Sequence, residues 1–322
     1  MQNRKSVDLM AVGLMVFICL VWAFQQIGLK ATEDLAAPVF QIGVRSGIAA
    51  ACVFLVAVLN GEKIPMFGGV AFLGSIAGGL FALEFLLVGA ALRHTSAAHV
   101  VVFLYAAPIF AALGLHWKLP SERLSVVQWI GIGLAAAGIA FAFLAPSRGQ
   151  HQALGLEAVV WGDGLAIMAG AAWGLTTVVI RTTQLSSIPA THVLFYQLAS
   201  AFVLLTGIAM LTGQATFAIS MPLVANLVFQ SIVVSVVSFL TWFWLLTKYR
   251  ASQLGVFSFM TPIFGVLLGV ILLGEQLNQE FVIGAAAVMT GIVIVSASRS
   301  ISQVMMSRSR IDAHHQPSGR AP

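Results

Sequence analysis

Leu20-Val21-Trp22-Ala23 and Ala171-Ala172-Trp173-Gly174 are one short run met twice, each time inside a long apolar block. Outward from them the two halves of the chain stay in step. Lys30 and Thr32 fall opposite Arg181 and Thr183, and Pro38 falls opposite Pro189. Pro108-Ile109-Phe110 returns as Pro262-Ile263-Phe264. Glu122, Gly131, Gly138 and Ile139 return as Glu275, Gly284, Gly291 and Ile292. The offset drifts only from 151 (22 to 173) to 154 (108 to 262). A single matched Trp or Pro is cheap; an ordered series of matches is not.

The solvent for this duplicated unit follows from its composition. Charged residues make up 8% of 322 positions and apolar ones 59%, whereas a soluble domain carries about a quarter charged residues to wet its surface. The apolar residues fall in blocks of about 20, enough to cross a bilayer's hydrocarbon core. The net charge of +5 sits in short gaps between those blocks rather than in a stripe, which argues against a nucleic-acid partner. Cys19 and Cys52 lie within apolar blocks and read as buried free thiols, not as a disulfide or metal framework. The first block has no small-x-small cleavage pattern and reads as a retained helix.

Breaks at polar, Pro and Gly residues predict an all-α integral membrane fold of ten transmembrane helices. They run over 7–29, 36–59, 68–91, 96–117, 125–145, 158–180, 190–211, 222–246, 252–273 and 279–298. The expected units are a five-helix repeat over 1–147, a second over 148–300, and a polar cytoplasmic tail over 301–322. With the N-terminus inside, the cytoplasmic side holds Arg4, Lys5, Lys63, Lys118, Arg123, Arg181, Lys248, Arg250, Arg299, Arg308, Arg310 and Arg320. The outer side holds Lys30, Arg93 and Arg148, and Arg45 lies within a span. Twelve against three satisfies the positive-inside rule and requires an even number of spans. Both termini are therefore expected on the cytoplasmic side. Five spans per repeat, an odd number, would insert the second copy upside down. Such inverted repeats can exchange conformations about a midplane site, the physical basis of alternating access. The tail's His314 and His315 are not read as a metal site.

The pattern resembles the drug/metabolite transporter superfamily, and within it the EamA-type exporters with two such domains. The resemblance rests on Trp22 and Trp173, Arg45, the Pro-x-Phe runs at Pro108 and Pro262, Glu122 and Glu275, and the glycines Gly131, Gly138, Gly284 and Gly291. It spans about residues 8 to 298. It implies export of small metabolites, commonly amino acids, across a bacterial-type inner membrane, without ATP hydrolysis or a cofactor. It also makes the bends at Pro108 and Pro262 pivots or cavity walls. Tyr196 in the second half stands where the first has Arg45, so the halves differ where polarity matters.

A charge at the bilayer centre costs about 2.5–3.5 kcal/mol on insertion scales, so polar residues inside spans should face a partner or a wet cavity. Gln41 and Arg45 share a helical face, which either lines the cavity or ties helices together. Glu84, between Phe81 and Phe85, can bind an amine, carry a proton or neutralise Arg45. Asp163, near the start of its span, reads as a solvated or capping group. His99 is either a packing histidine or a titratable cavity group, and Tyr105 sits three residues before Pro108, where the helix loses a hydrogen bond.

Trp22, Gln25 and Gln26 form one face of the first span, and Trp173, Thr176 and Thr177 repeat it in the sixth. Either these faces meet around a cavity or they make ordinary helix contacts. His192, Tyr196 and Ser200, with Gln197 alongside, mark the seventh span. Ser231, Ser235, Ser238 and Trp242 mark the eighth, as a small-residue seam or a wet wall.

These residues predict a secondary carrier for small amphipathic metabolites, amino acids with apolar side chains foremost. The expected partners are that solute and the lipid bilayer, with a monomer as the working unit. An intramembrane enzyme would need clustered catalytic groups at one depth, and here the ionisable residues are scattered. A channel would need oligomeric rings of like groups. No Walker sequence is present.

Overall fold

The computed structural model of the chain describes residues 8–120, 123–144, 155–249, 254 and 257–295. Glu122, the tail over 301–322 with His314 and His315, and eight of the basic residues used for orientation (Arg4, Lys5, Arg148, Arg250, Arg299, Arg308, Arg310 and Arg320) lie outside the described residues. Among the described residues the architecture is helical, without a β-sheet.

The chain begins with α1 (Leu9–Ala31), started by Asp8, whose carboxylate accepts from the Ala11 N–H at 2.9 Å. Lys30 lies in its last turn, where a cation favours the helix dipole. Next come α2 (Pro38–Leu59), with Pro38 at its first position, and α3 (Gly69–Ala91). The fourth block, expected as one helix, breaks into α4 (Ala97–Leu104) and α5 (Ala107–Lys118) around Tyr105 and Ala106. Pro108 is the cause, since it has no N–H to give to Leu104. Then follow α6 (Val126–Leu144), α7 (Leu156–Thr182), a 3-10 turn over Gln184–Ser187, and α8 (Ala190–Leu211).

The eighth block runs as α9 (Met221–Val228), a π-helical stretch Phe229–Ser238, and α10 (Phe239–Lys248). In the ninth block Leu254 and Phe257 are helical, and after a turn at Ser258 and Phe259, just ahead of Pro262, the chain continues as α11 (Met260–Leu273). Both Pro-bearing spans thus carry a turn in front of the proline. The last helix is α12 (Gln279–Val295).

Seven of these segments are long and apolar enough to cross a membrane, the pair α4–α5 and the run from Met221 to Trp242 each counting once. Three shorter apolar helices, Val126–Ala142, Met260–Leu273 and Gln279–Val295, occupy the remaining blocks. Leu55, Phe72, Ile130, Val203 and Ile271 are all exposed on the outside of the bundle. Apolar cover on this scale calls for lipid around it.

Corresponding helices of the two halves pack on one another: α2 on α8, α4 on α11, and α6 on α12. The glycines give their directions. A methyl on Gly131 would stand 2.8 Å from the Gly291 carbonyl oxygen, and one on Gly138 would stand 2.7 Å from that of Gly284. Numbers rise along α6 as they fall along α12, so the two run antiparallel with their backbones touching. Gly43 against Thr206 and Gly47 against Phe202 set α2 antiparallel to α8 in the same way. Small residues permit this approach in lipid, where packing rather than hydrophobicity must hold helices together.

Candidate functional site

A cavity of about 530 Å³ opens between the halves. Ten of the fifteen residues expected at a binding site line it. Trp22 and Gln25 come from α1, Phe81 and Glu84 from α3, and Tyr105 from the break after α4. Trp173, Thr176 and Thr177 come from α7, Gln197 from α8 and Trp242 from α10. The two repeated Trp-bearing faces therefore border one hollow. The wall also includes Ser186, an exposed residue of the 3-10 turn, so the cavity reaches the face carrying the α7–α8 connection.

The aromatic wall is braced from behind. The Trp22 indole N–H donates to Ser238 Oγ at 2.9 Å, and its ring meets Trp242 edge-on at 5.7 Å between centroids. Tyr105 stands edge-on to Trp173 at 5.3 Å. Edge-to-face pairs of this kind contribute about 0.5–1.5 kcal/mol beyond their area and fix ring orientation.

Glu84 is the wall's carboxylate. It is 5% exposed, its Oε2 has no hydrogen-bond partner, and no Lys, Arg or His stands beside it in the wall among the described residues. A buried acceptor left without a donor costs about 1–3 kcal/mol, and more when charged.

Five expected residues stand outside the wall. Arg45 lies behind it, its guanidinium 4.6 Å from the centre of the Phe85 ring, and it donates to Gln230 Oε1 at 2.5 Å. Gln41 is consumed in a buried network. It donates to the Thr32 and Ala36 carbonyls at 3.1 and 2.8 Å and accepts from Asn226 at 2.9 Å. Gln230 continues the network, donating to the Gln25 carbonyl at 2.8 Å. Ser235 donates to the Gln230 carbonyl oxygen at 2.9 Å, turning inward within the π stretch.

Tyr196 packs its ring over Gly74 and donates to the Pro65 carbonyl. Its helix face is spent on α3, because Ser200 likewise fills the space beside Gly78. His99 is stacked flat on Phe281 at 3.8 Å, with Nδ1 2.9 Å from Asp163 Oδ2. Asp163 is thus a buried partner of His99 and Thr95, not the solvated or capping group its position suggested. Glu275 does the capping: its carboxylate accepts from the Ala97 and Ala98 N–H groups at 2.7 and 3.1 Å, satisfying the start of α4.

The sequence reading missed Asn226 and Gln230. Their signal was present, two amides at i and i+4 inside an apolar span.

The hydrogen-bonded network and the cavity mouth belong to opposite faces. Because α2 and α8 are antiparallel, the start of α2, beside Thr32 and Gln41, lies at the end of the bundle away from the start of α8. The bundle is sealed by polar contacts on one side and hollow on the other.

Comparison with known proteins agrees with this two-part architecture. Residues 9–144 and again 160–297 match the pattern of the EamA-like transporter family. A "Probable amino-acid metabolite efflux pump" of Salmonella typhimurium is 25% identical over 292 residues, covering 87% of this chain and 93% of that protein. An "Uncharacterized transporter" of Archaeoglobus fulgidus is 24% identical, covering 89% and 97%. A solved crystal structure of another protein superposes with a TM-score of 0.62 at 18% identity, over 89% of this chain and 96% of that one. At that identity the likeness is one of fold.

Proposed function

The chain belongs to the EamA-like transporter family, and from that premise we propose that it is a ten-span secondary carrier exporting small amphipathic metabolites, amino acids with apolar side chains foremost. One observation carries the reading. Trp22 and Trp173, equivalent positions of the two repeats, line a single cavity between them. The antiparallel contacts of α2 with α8 and α6 with α12 support an inverted repeat with boundaries near residue 147. That arrangement suits alternating access, in which the halves exchange conformations around a shared site. The cavity reaching the α7–α8 connection, a cytoplasmic segment by its Arg181, corresponds to the state that loads solute from inside. On this reading the chain lies in a bacterial inner membrane with both termini cytoplasmic and works as a monomer. Pro108 and Pro262 mark the turns about which α4–α5 and α11 pivot.

The name of the Salmonella relative and the mixture of Trp, Tyr and Phe with Gln and Thr in the wall support amino acids as cargo. Counterflow of radiolabelled amino acids into proteoliposomes preloaded with unlabelled ones tests the proposal. Saturable, protein-dependent exchange is expected for at least one apolar amino acid. Flux that never saturates would indicate a channel, and absence of flux across the panel would remove the amino-acid cargo.

A further inference from the structure

Resting on the carrier reading, but placing amines ahead of amino acids within its amphipathic cargo, we infer that the cavity selects the ammonium end of its solute: amines with an aromatic or aliphatic body, lacking a free carboxylate, bind in preference to the zwitterionic amino acid. The geometry that carries this is the asymmetry between Glu84 and Arg45. Glu84 lies in the wall with Oε2 unsatisfied, in a residue 95% buried. Arg45, the cation that would answer a solute carboxylate, is absent from the wall. Its guanidinium is turned onto the Phe85 ring and donates to Gln230.

An entering ammonium would therefore find a carboxylate acceptor and aromatic faces, both of which attract cations. Phe81 and Phe85 flank Glu84 with ring centres 4.8 Å apart, and Trp22 and Trp242 supply further π surface. An entering carboxylate would find no cation in the wall, only neutral donors of Gln, Thr, Ser, Tyr and Trp, and would sit near Glu84 as a like charge. A zwitterion gains at one end and loses at the other. An ammonium seated at Glu84 Oε2 would itself compensate the carboxylate in this apolar wall, since the Arg45 guanidinium is held against Phe85 and Gln230 and leaves that oxygen unpartnered.

A matched series isolates charge from shape: 2-phenylethylamine, phenylalanine and 3-phenylpropionate share one ring and differ in charged groups. Their binding to the purified full-length protein at neutral pH is read by isothermal titration calorimetry, and their exchange is read in proteoliposomes. The amine is expected to bind at least about tenfold more tightly than phenylalanine, the difference made by roughly one charge-assisted contact, with phenylpropionate weakest. Glu84→Gln should collapse the preference for the amine over phenylalanine to less than about twofold.

Phenylalanine binding as tightly as the amine, or a Glu84→Gln protein that keeps the full preference, overturns the inference. So does a failure of all three to bind. The order within the unaltered protein decides the matter even if the variant does not fold. Should the binding order hold while no exchange occurs, the carrier reading fails and the site's charge preference stands.

Discussion

His99 Nδ1 lies 2.9 Å from Asp163 Oδ2, and Thr95 donates to the same carboxylate at 2.7 Å, so one buried polar knot joins α4 to α7. Removing one member of a buried pair leaves the other uncompensated and costs about 3–5 kcal/mol. Asp163→Ala should therefore lower the thermal unfolding midpoint sharply. His99→Ala combined with Asp163→Ala should cost less than the sum of the two, as expected for partners in contact. Additive losses in detergent unfolding experiments would dissolve the pair.

The contact between α6 and α12 predicts a contrast between neighbouring glycines. Gly138 touches the backbone of α12, whereas a methyl at Gly133 would meet nothing within 4 Å. Gly138→Val should destabilise by about 1–3 kcal/mol through overpacking. Gly133→Ala should be neutral or stabilise by about 0.5–1 kcal/mol, because alanine is the better helix former. Equal effects at the two sites, measured by thermal unfolding, would contradict the close approach.

The Thr32–Asn226 hydrogen bond, 3.1 Å long, crosses the sealed end of the bundle. If sealing and opening alternate, Thr32→Cys with Asn226→Cys should trap the sealed state on oxidation. Cys19 and Cys52 would first be replaced by serine. Exchange in proteoliposomes is expected to stop with oxidant and to resume with reductant. Undiminished exchange in a fully cross-linked sample would argue against movement there.

Gln230 accepts the Arg45 guanidinium, and a hydrogen bond to a charged group contributes about 1.5–3 kcal/mol. Gln230→Leu should lose that much stability, as read from denaturant unfolding. Arg45→Met placed on top should restore part of it, since an apolar pair of similar volume removes the stranded charge. A further loss on adding Arg45→Met would show that the guanidinium is anchored chiefly by the Phe85 ring.

How far the sequence could be read depended on the range of each interaction. The apolar blocks, the repeated Trp and Pro positions and the matched glycines are local or periodic signals, and they delivered the helical segments and most of the cavity wall. Trp22 and Trp173 were recognisable because duplication labels equivalent positions. The failures share a cause. Asp163 looked solvated because its partner His99 is 64 residues away in sequence. Arg45 belonged to the candidate wall because periodicity gives the face of a helix, not which side of Phe85 its head group occupies. Tyr196 and Ser235 shared a face with plausible wall residues, yet Gly74 and the Pro65 carbonyl claim the first and the backbone of its own π stretch claims the second. The π stretch in the eighth span has no periodic signature that an apolar run of Val and Ser would betray.

That π stretch sets the aim of everything after it. Trp242 and Phe239 line the hollow directly downstream of Phe229–Ser238, whose π-helical turns are wider than α-turns. Deleting one residue there, so that the segment tightens, would rotate the downstream helix by about 100° about its axis and swing both rings off the solute. In this segment chain length, more than side-chain chemistry, governs what the pocket sees. A one-codon change would thus re-index the pocket while leaving hydropathy untouched.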